Sequence, residues 1–360
     1  MKILYAIQGT GNGHVSRARE IIPILKENHE VDILISGTQA DIDLQYPIKY
    51  RYHGLGFIFG KSGGVDLLET YKKSKLKVFF MEVNCLPVQA YDLVINDFEP
   101  VSAWACFQKN KSCISLSHQS AVLNKNVPQP KKSDHFGRAI LKKYAPVTSK
   151  YGFHFKAYDK QIYTPVIRKE VRQQLNEELG HYTVYLPAYD DNRIMKVLKE
   201  IKDVKWEVFS KHNKKVIKEN NIRIQPINNE AFLKSMTTST GVLCGAGFET
   251  PAEALFLEKK LMVIPMKGQY EQQCNAAALK DMGVPVIKSL KLKHLNKIQD
   301  WIENDKRVKV NYPDETAQIL NKIIEEHTSE ISTDSLLPIR KIYTLDKFRK
   351  SMLKMIAANL

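Results

Sequence analysis

Apolar and polar positions along the chain follow two alternating patterns. Short unbroken apolar runs, such as Ile3 to Ile7 or the LMVI of KLMVIPM, have the length of strands buried on both faces. Between them lie stretches whose apolar residues recur at helical spacing. KILYAIQ, VDILISG, IKYRYHGLGF, YDLVIND and SCISLSHQ are predicted strands. Val15 to Asn28 is a predicted helix with Val15, Ala18, Ile21, Ile22 and Leu25 on one face. FGRAILKKYA has the pattern of a short amphipathic helix, and KQIYTPVIR leads into a second half. From about Arg172 the alternation restarts. HYTVYLPAY, KWEVFSK, IRIQPI, TGVLCGAG and KLMVIPM are strand-like; Asn192 to Ile201, EAFLKSM and Thr250 to Phe256 are helical. Strands that end in glycine or polar residues just before helices imply parallel sheets. The expectation is an α/β chain with two Rossmann-like doubly wound domains facing a cleft. The domains are placed at 1–165 and 166–330, with a helical tail at 331–360 packing back on the first.

The opening apolar run is too short for a signal peptide, and no run approaches the ~20 residues of a spanning helix. Cys85, Cys106, Cys113, Cys244 and Cys274 form an odd, scattered set without a CxxC pair. That suits a reduced compartment. The expected location is cytoplasmic, at most peripheral to the inner face of the membrane. With 54 Lys and Arg against 39 Asp and Glu, the net charge of +15 selects anionic partners: nucleotides, phosphorylated acceptors, nucleic acid or an acidic membrane. The basic residues are not interleaved with aromatics as a base-stacking groove needs, so nucleic acid is not expected. They concentrate in Asn124 to Lys160, nine against two acids, and in Ser332 to Leu360, six against two. Lys131 to Lys143 offers either a membrane or phospholipid contact or a solvated face. In the tail, Leu345, Phe348, Met352, Met355 and Ile356 share helical spacing. Such a helix packs on a core or lies on an anionic membrane.

The turn after the first strand reads QGTGNGHVSRA, with Gly9, Gly11 and Gly13 ahead of His14. A dinucleotide fingerprint wants G-x-G-x-x-G and an acid ending the second strand. Here the spacing is G-x-G-x-G and the second strand ends Ile35-Ser36-Gly37, so that reading is disfavoured. No Gly-Lys-Ser/Thr follows for a phosphate loop. Two readings remain: a tight strand–helix turn with a capping histidine, or glycines that clear space for a ligand beside His14 as general base. Asp97 ends LVIND, also at a carboxyl edge, and is either a helix cap or the carboxylate that fixes the His14 tautomer. His118 ends SLSH and is either a satisfied loop histidine or an acceptor contact. Asp41-Ile42-Asp43 has a metal-binding DxD spelling, but in a surface-like segment it is left without a role.

The stretch GAGFETPAEALFLEKKLMVIPMKGQYEQQCNA, Gly245 to Ala276, is the second constellation. Proline in a first turn marks a helix start near Thr250-Pro251, whose free N–H groups suit phosphate. Glu253, one turn on, is spaced to accept from a ribose diol. Glu271, Gln272 and Asn275 cluster after the next strand, which suits a polyol.

On these residues the chain resembles the nucleotide-sugar-dependent glycosyltransferases of GT-B fold, a group including the bacterial lipid-intermediate N-acetylglucosaminyltransferase and the plant and macrolide glucosyltransferases. GTGNGH is similar to the group's acceptor-side turn, which implies Gly11 and Gly13 beside the acceptor, His14 as base and Asp97 as its partner. Gly247, Thr250 and Glu253 match Gly-x-x-[Ser/Thr]-x-x-Glu, implying diphosphate and ribose contacts. Glu271, Gln272, Asn275 and Ala276 match [Asp/Gln]-Gln-x-x-Asn-Ala, which implies hydrogen bonds from Glu271 and Gln272 to the transferred sugar. The backbone near Ile227 matches the position that holds the base. Three departures stand out: Gly245 replaces a phosphate-binding histidine of the plant enzymes, LPAYDD replaces a glycine-serine loop, and Glu271 replaces Asp or Gln. The resemblance implies an inverting, metal-independent hexosyltransferase with no cofactor. A UDP-sugar would be the co-substrate and a hydroxyl, lipid-linked or in a cell-envelope precursor, the acceptor. Two other readings are a sugar-nucleotide 2-epimerase of the same architecture and a non-catalytic nucleotide-sugar or nucleic-acid binding protein.

Overall fold

The computed structural model describes residues 1–37, 44–55, 76–131 and 134–331. Asp41 and Asp43, the end of IKYRYHGLGF, Lys132 and the tail from Ser332 lie outside the described residues.

The first half builds a seven-stranded sheet from β1 (Lys2–Gln8), β2 (Glu30–Ser36), β3 (Tyr50–Tyr52), β4 (Leu93–Asp97), β5 (Ile114–Leu116), β6 (Ser149–Phe153) and β7 (Ile162–Tyr163). Its order is β3-β2-β1-β4-β5-β6-β7, and every pairing is parallel. Residues 3–7 of β1 are all buried, as a strand covered by helices on both faces must be. α1 (Asn12–Asn28) follows β1 and buries Val15, Ala18, Ile21, Ile22 and Leu25, the face expected from the periodicity. α2 (Leu76–Cys85) and α3 (Pro100–Gln108) flank β4; α4 (His118–Val122) and α5 (His135–Tyr144) come between β5 and β6.

After a single turn of helix, α6 (Lys169–Arg172), the second half forms a six-stranded sheet. Its strands are β8 (His181–Tyr185), β9 (Lys205–Ser210), β10 (Ile217–Glu219), β11 (Ile222–Pro226), β12 (Gly241–Gly245) and β13 (Lys260–Ile264), in the order β10-β11-β9-β8-β12-β13. Only β10 is antiparallel. The helices here are α7 (Asp191–Leu198), α8 (Asn229–Thr238), α9 (Glu249–Phe256), α10 (Tyr270–Asp281), α11 (Leu295–Glu303) and α12 (Thr316–Ile331). No helix of the described residues is long and apolar enough to cross a membrane.

Both sheets reverse their winding direction at one strand: β1 has β2 on one side and β4 on the other, and β8 has β9 and β12. Crevices open at the carboxyl ends of strands at such switch points, and ligands of doubly wound folds sit there. The glycine turn after β1, the end of β4 and the Gly245–Gly247 turn after β12 all lie at these edges.

Candidate active site

The glycine turn is shaped by backbone, not by a side-chain cap. Gly11 caps α1 at φ 93°, a region L-residues avoid, and no side chain supplies a capping bond. His14 is thereby placed in the first turn of α1, partly buried, opposite the end of β4. Its Nδ1 lies 2.9 Å from Asp97 Oδ1. Arg17 Nη2, which only donates, lies 3.1 Å from the same Nδ1; the closer carboxylate only accepts, and with it as the partner the neutral ring carries its hydrogen on Nδ1 and keeps the lone pair on Nε2. The Nε2 edge meets the Gln119 amide nitrogen at 3.4 Å.

Asp97 has no exposed surface. Burial pushes its carboxyl up, but Arg17 and then His14 outweigh that and hold it below its ordinary value. Arg17 sits one helical turn after His14, 3 % exposed. It donates to Asp97 from Nε at 3.1 Å and from Nη2 at 2.8 Å to both oxygens. Its Nη1 crosses to the other half of the protein and donates to Glu249 Oε1 at 2.6 Å. Burial disfavours the guanidinium charge, yet the two acids keep it raised. Glu249 lies directly over Gly13: any side chain there would strike its carboxylate. Gly13 is thus a close-approach position between two helix N-termini.

The residue after Asp97 is strained. Phe98 has φ 56°, rare for a bulky side chain. The turn around it is tied down on both sides. Asn96 Nδ2 donates to the Glu99 carbonyl at 2.7 Å and to Ser102 Oγ at 2.8 Å, and Asn96 Oδ1 accepts from Glu99 N at 3.1 Å. Glu99 caps α3 by accepting from Val101 N and Ser102 N. The result is a Phe98 ring stacked parallel to His14, with centroids 6.5 Å apart, and packed on Tyr144 at 4.7 Å. Such over-determined strain gathers at functional sites.

Across the cleft, β12 runs into Gly245, Ala246 and Gly247, then α9. The α9 N-terminus has no side-chain cap, and a Cβ on Gly247 would meet open space. Gly245, Gly247 and Thr250 are all partly exposed there. α10 gathers Glu271, Gln272 and Asn275, which the sequence had suggested as a polar cluster. Glu271 Oε2 accepts from Gln119 Nε2 at 3.1 Å, so Gln119 spans from His14 to the second half of the molecule. Gln272 Oε1 accepts from Met266 N at 3.0 Å. Ile227 follows β11 at the same carboxyl edge and is 36 % exposed.

Three expected contacts look different in place. Asn275 is fully buried: its Oδ1 is 2.8 Å from His118 Nε2, and its Nδ2 donates to the Ala246 carbonyl at 3.1 Å. It supports the Gly245–Gly247 turn from behind and does not face the cleft. His118 starts α4 instead of ending a strand, is 1 % exposed, and uses Nδ1 on the Phe153 carbonyl at 2.9 Å. It stacks on Phe248 at 3.9 Å, and burial lowers its pKa. An acceptor cannot reach it; the satisfied-histidine alternative describes it. Glu253 is buried with both oxygens on Arg168, at 2.6 Å from Nε and 2.9 Å from Nη2. A ribose reaches that carboxylate only by sharing it with Arg168. Sequence reasoning missed Arg17, Phe98, Gln119 and Arg168. The available signal for Arg17 was its i+3 spacing from His14, which puts both on one helix face.

Two parallel, doubly wound sheets meeting at their carboxyl edges, with a histidine–carboxylate pair on one side and an uncapped helix N-terminus on the other, define the GT-B class of glycosyltransferase. The sequence profile described as glycosyl transferase family 1 matches residues 1–304, and the chain belongs to that family. No curated protein matches the sequence. Among solved structures, MurG of Acinetobacter baumannii is similar at 15% identity and TM-score 0.56, over 91% of this chain and 100% of that one. A UDP-glucosyltransferase from Polygonum tinctorium is similar at 13% identity and TM-score 0.55, over 92% and 95%. LpCGTa, solved with UDP, is similar at 9% identity and TM-score 0.55, over 99% and 98%. At these identities the likeness concerns the fold.

Proposed function

We propose that this glycosyltransferase is inverting and moves a sugar from a UDP-sugar to an acceptor hydroxyl bound on the first domain. The observation that carries the reading is the His14–Asp97 contact at 2.9 Å, set at one switch point and facing the uncapped start of α9. His14 Nε2 removes the acceptor proton as the oxygen attacks the anomeric carbon, and Asp97 stabilises the imidazolium that forms. Direct attack opposite the leaving group inverts the anomeric centre.

The departing diphosphate is met by the free N–H groups of α9, the open backbone at Gly245 and Gly247, and the Thr250 hydroxyl. These groups carry the charge without calling on a metal ion or cofactor. Glu271 and Gln272 bond the transferred sugar, the base lies against the backbone at Ile227, and Glu253 takes the ribose while shared with Arg168. Gly11 keeps the acceptor side clear of side chains, whereas the space over Gly13, expected beside the acceptor, is taken by the Glu249 carboxylate. The domain division at about residue 165, the return of the tail onto the first domain, a lipid-linked acceptor and basic contact with the inner membrane face belong to the same proposal. Lys131 to Lys143 would supply the membrane contact, read by sedimentation with acidic and neutral vesicles.

A thermal-shift series against UDP-, dTDP- and GDP-sugars tests the donor half without knowledge of the acceptor. Stabilisation by UDP-sugars above the other two is the expected result. Stabilisation by none of the three overturns the donor assignment.

A further inference from the structure

At the amino end of β13, the edge of the second sheet away from the cleft, lies a cavity of about 350 Å³. The end of α9, the start of β13, residues 283–287, the end of α11 and residues 304–308 wall it in. Leu255, Leu261, Met262, Val284, Ile287 and Val308 make its body apolar, and no residue of the candidate active site lines it. An engineered cavity of ~150 Å³ holds a benzene ring and small-molecule pockets begin near ~300 Å³, so the volume suits a ligand of about ten non-hydrogen atoms.

Lys297, Asp300 and Lys306 reach the cavity from exposed positions, where water serves them. Its chemistry is set by two buried donors. Lys259, 1 % exposed, spends one hydrogen on the Glu177 carbonyl at 2.7 Å and makes no ion pair among the described residues. Glu178, whose charge supports it, is bonded to Arg307 instead. Burial pulls the Lys259 pKa down to about 8, as befits an ammonium short of a counter-charge. Trp301 is 4 % exposed, packs edge-on against Tyr182 and leaves its buried Nε1 without a hydrogen-bond partner. Indole and ammonium groups only donate, so both ask for an acceptor. A buried cation without a partner asks for a negative one.

We infer that this cavity binds a small apolar monocarboxylate, at a site separate from the one where transfer takes place. The carboxylate accepts from Lys259 Nζ and Trp301 Nε1, and the apolar body lies on Leu255, Leu261, Val284 and Ile287. One buried cation balances one charge, so a dianionic phosphate monoester leaves a charge unmatched and is disfavoured. Binding here needs neither donor nor acceptor, and it stands whether or not the protein uses UDP-sugars.

The test is calorimetric titration of the full chain at pH 7 with octanoate, octanol, octyl phosphate and acetate. Octanoate is expected to bind at least tenfold tighter than each of the others. Octanol lacks the charge, acetate lacks the apolar body and octyl phosphate carries a second charge. Lys259→Met keeps the length of the side chain without its charge; it should bring octanoate down to the level of octanol and leave octanol within threefold. Trp301→Phe keeps a ring against Tyr182 without the N–H and should weaken octanoate at least threefold. Val308→Phe, at a partly exposed position of the wall, fills the space and should weaken octanoate and octanol alike. Saturating UDP should leave octanoate binding unchanged. Octanoate no tighter than octanol, octyl phosphate as tight as octanoate, or an unchanged preference in Lys259→Met would each overturn the assignment. So would unchanged binding in Val308→Phe or displacement of octanoate by UDP, which would put the carboxylate in the cleft.

Discussion

Arg17→Met removes the guanidinium that holds Asp97 and leaves a side chain of similar length. Asp97 is fully buried and receives three contacts from Arg17 at 2.8–3.1 Å but one from His14. Removing one partner of a buried pair costs ~3–5 kcal/mol, because the other charge is left unpaired. Part of this is recovered if Asp97 takes up a proton. With Arg17 present the carboxyl is held low, so its contribution to stability is present above the unfolded value of ~3.9 and is lost as pH falls through the lower folded value. Without Arg17, burial is opposed mainly by His14 and the pKa rises. The stability gap between variant and parent should then narrow as pH falls, because taking up a proton relieves the unpaired Asp97 in the variant alone, and the loss of charge on Asp97 should weaken His14 as base. Urea unfolding between pH 4 and 8 reads the first effect, and the pH profile of kcat/KM reads the second. Arg17→Lys should recover part of the stability but not the fork. A variant within ~0.5 kcal/mol of the parent at pH 7, with an unmoved acidic limb, would refute this account of the buried carboxylate.

Other positions give independent readings. Gly13→Ala pushes the flexible Glu249 carboxylate away, so stability should change by less than ~1 kcal/mol while kcat/KM falls at least tenfold; unchanged turnover would remove the Arg17–Glu249 link from function. Phe98→Gly should be more stable than Phe98→Ala by about 1 kcal/mol in urea, reversing the usual order, because only glycine sheds the strain at φ 56°. Glu253→Gln should weaken UDP about tenfold and 2′,3′-dideoxy-UDP hardly at all by calorimetry; equal losses would mean that Glu253 merely braces Arg168.

Much of the fold was legible because buried parallel strands write themselves as unbroken apolar runs. β1, β4, β12 and β13 could be placed within a residue or two on that ground. β10 was not, since its three residues are exposed and pair antiparallel at an edge. The run KQIYTPVIR contributes only Ile162 and Tyr163 to a strand, because its proline lacks the donor a ladder needs. The site was legible where a chemical group stood at the end of a strand, as with His14 and Asp97. It was not where the partner came from the other half of the chain. An arginine at 17 or 168 looks solvated in one dimension and becomes buried only when Glu249 or Glu253 arrives across the fold. Asn275 and His118 show the reverse: polar residues that read as ligand contacts spend their hydrogen bonds on each other and on backbone. The left-handed Phe98 had no signal at all, because its strain is imposed by Asn96 and Glu99 on either side.

The central claim is that His14 acts on the acceptor while the nucleotide is held by the other sheet. Its most direct measurement is single-turnover transfer by His14→Gln, with UDP affinity measured on the same preparation. The account predicts a loss of at least 10²-fold in the transfer rate, in the range of a positioned general base, and UDP binding within twofold of the parent. Transfer at the parent's rate, or loss of UDP binding in step with activity, would contradict it.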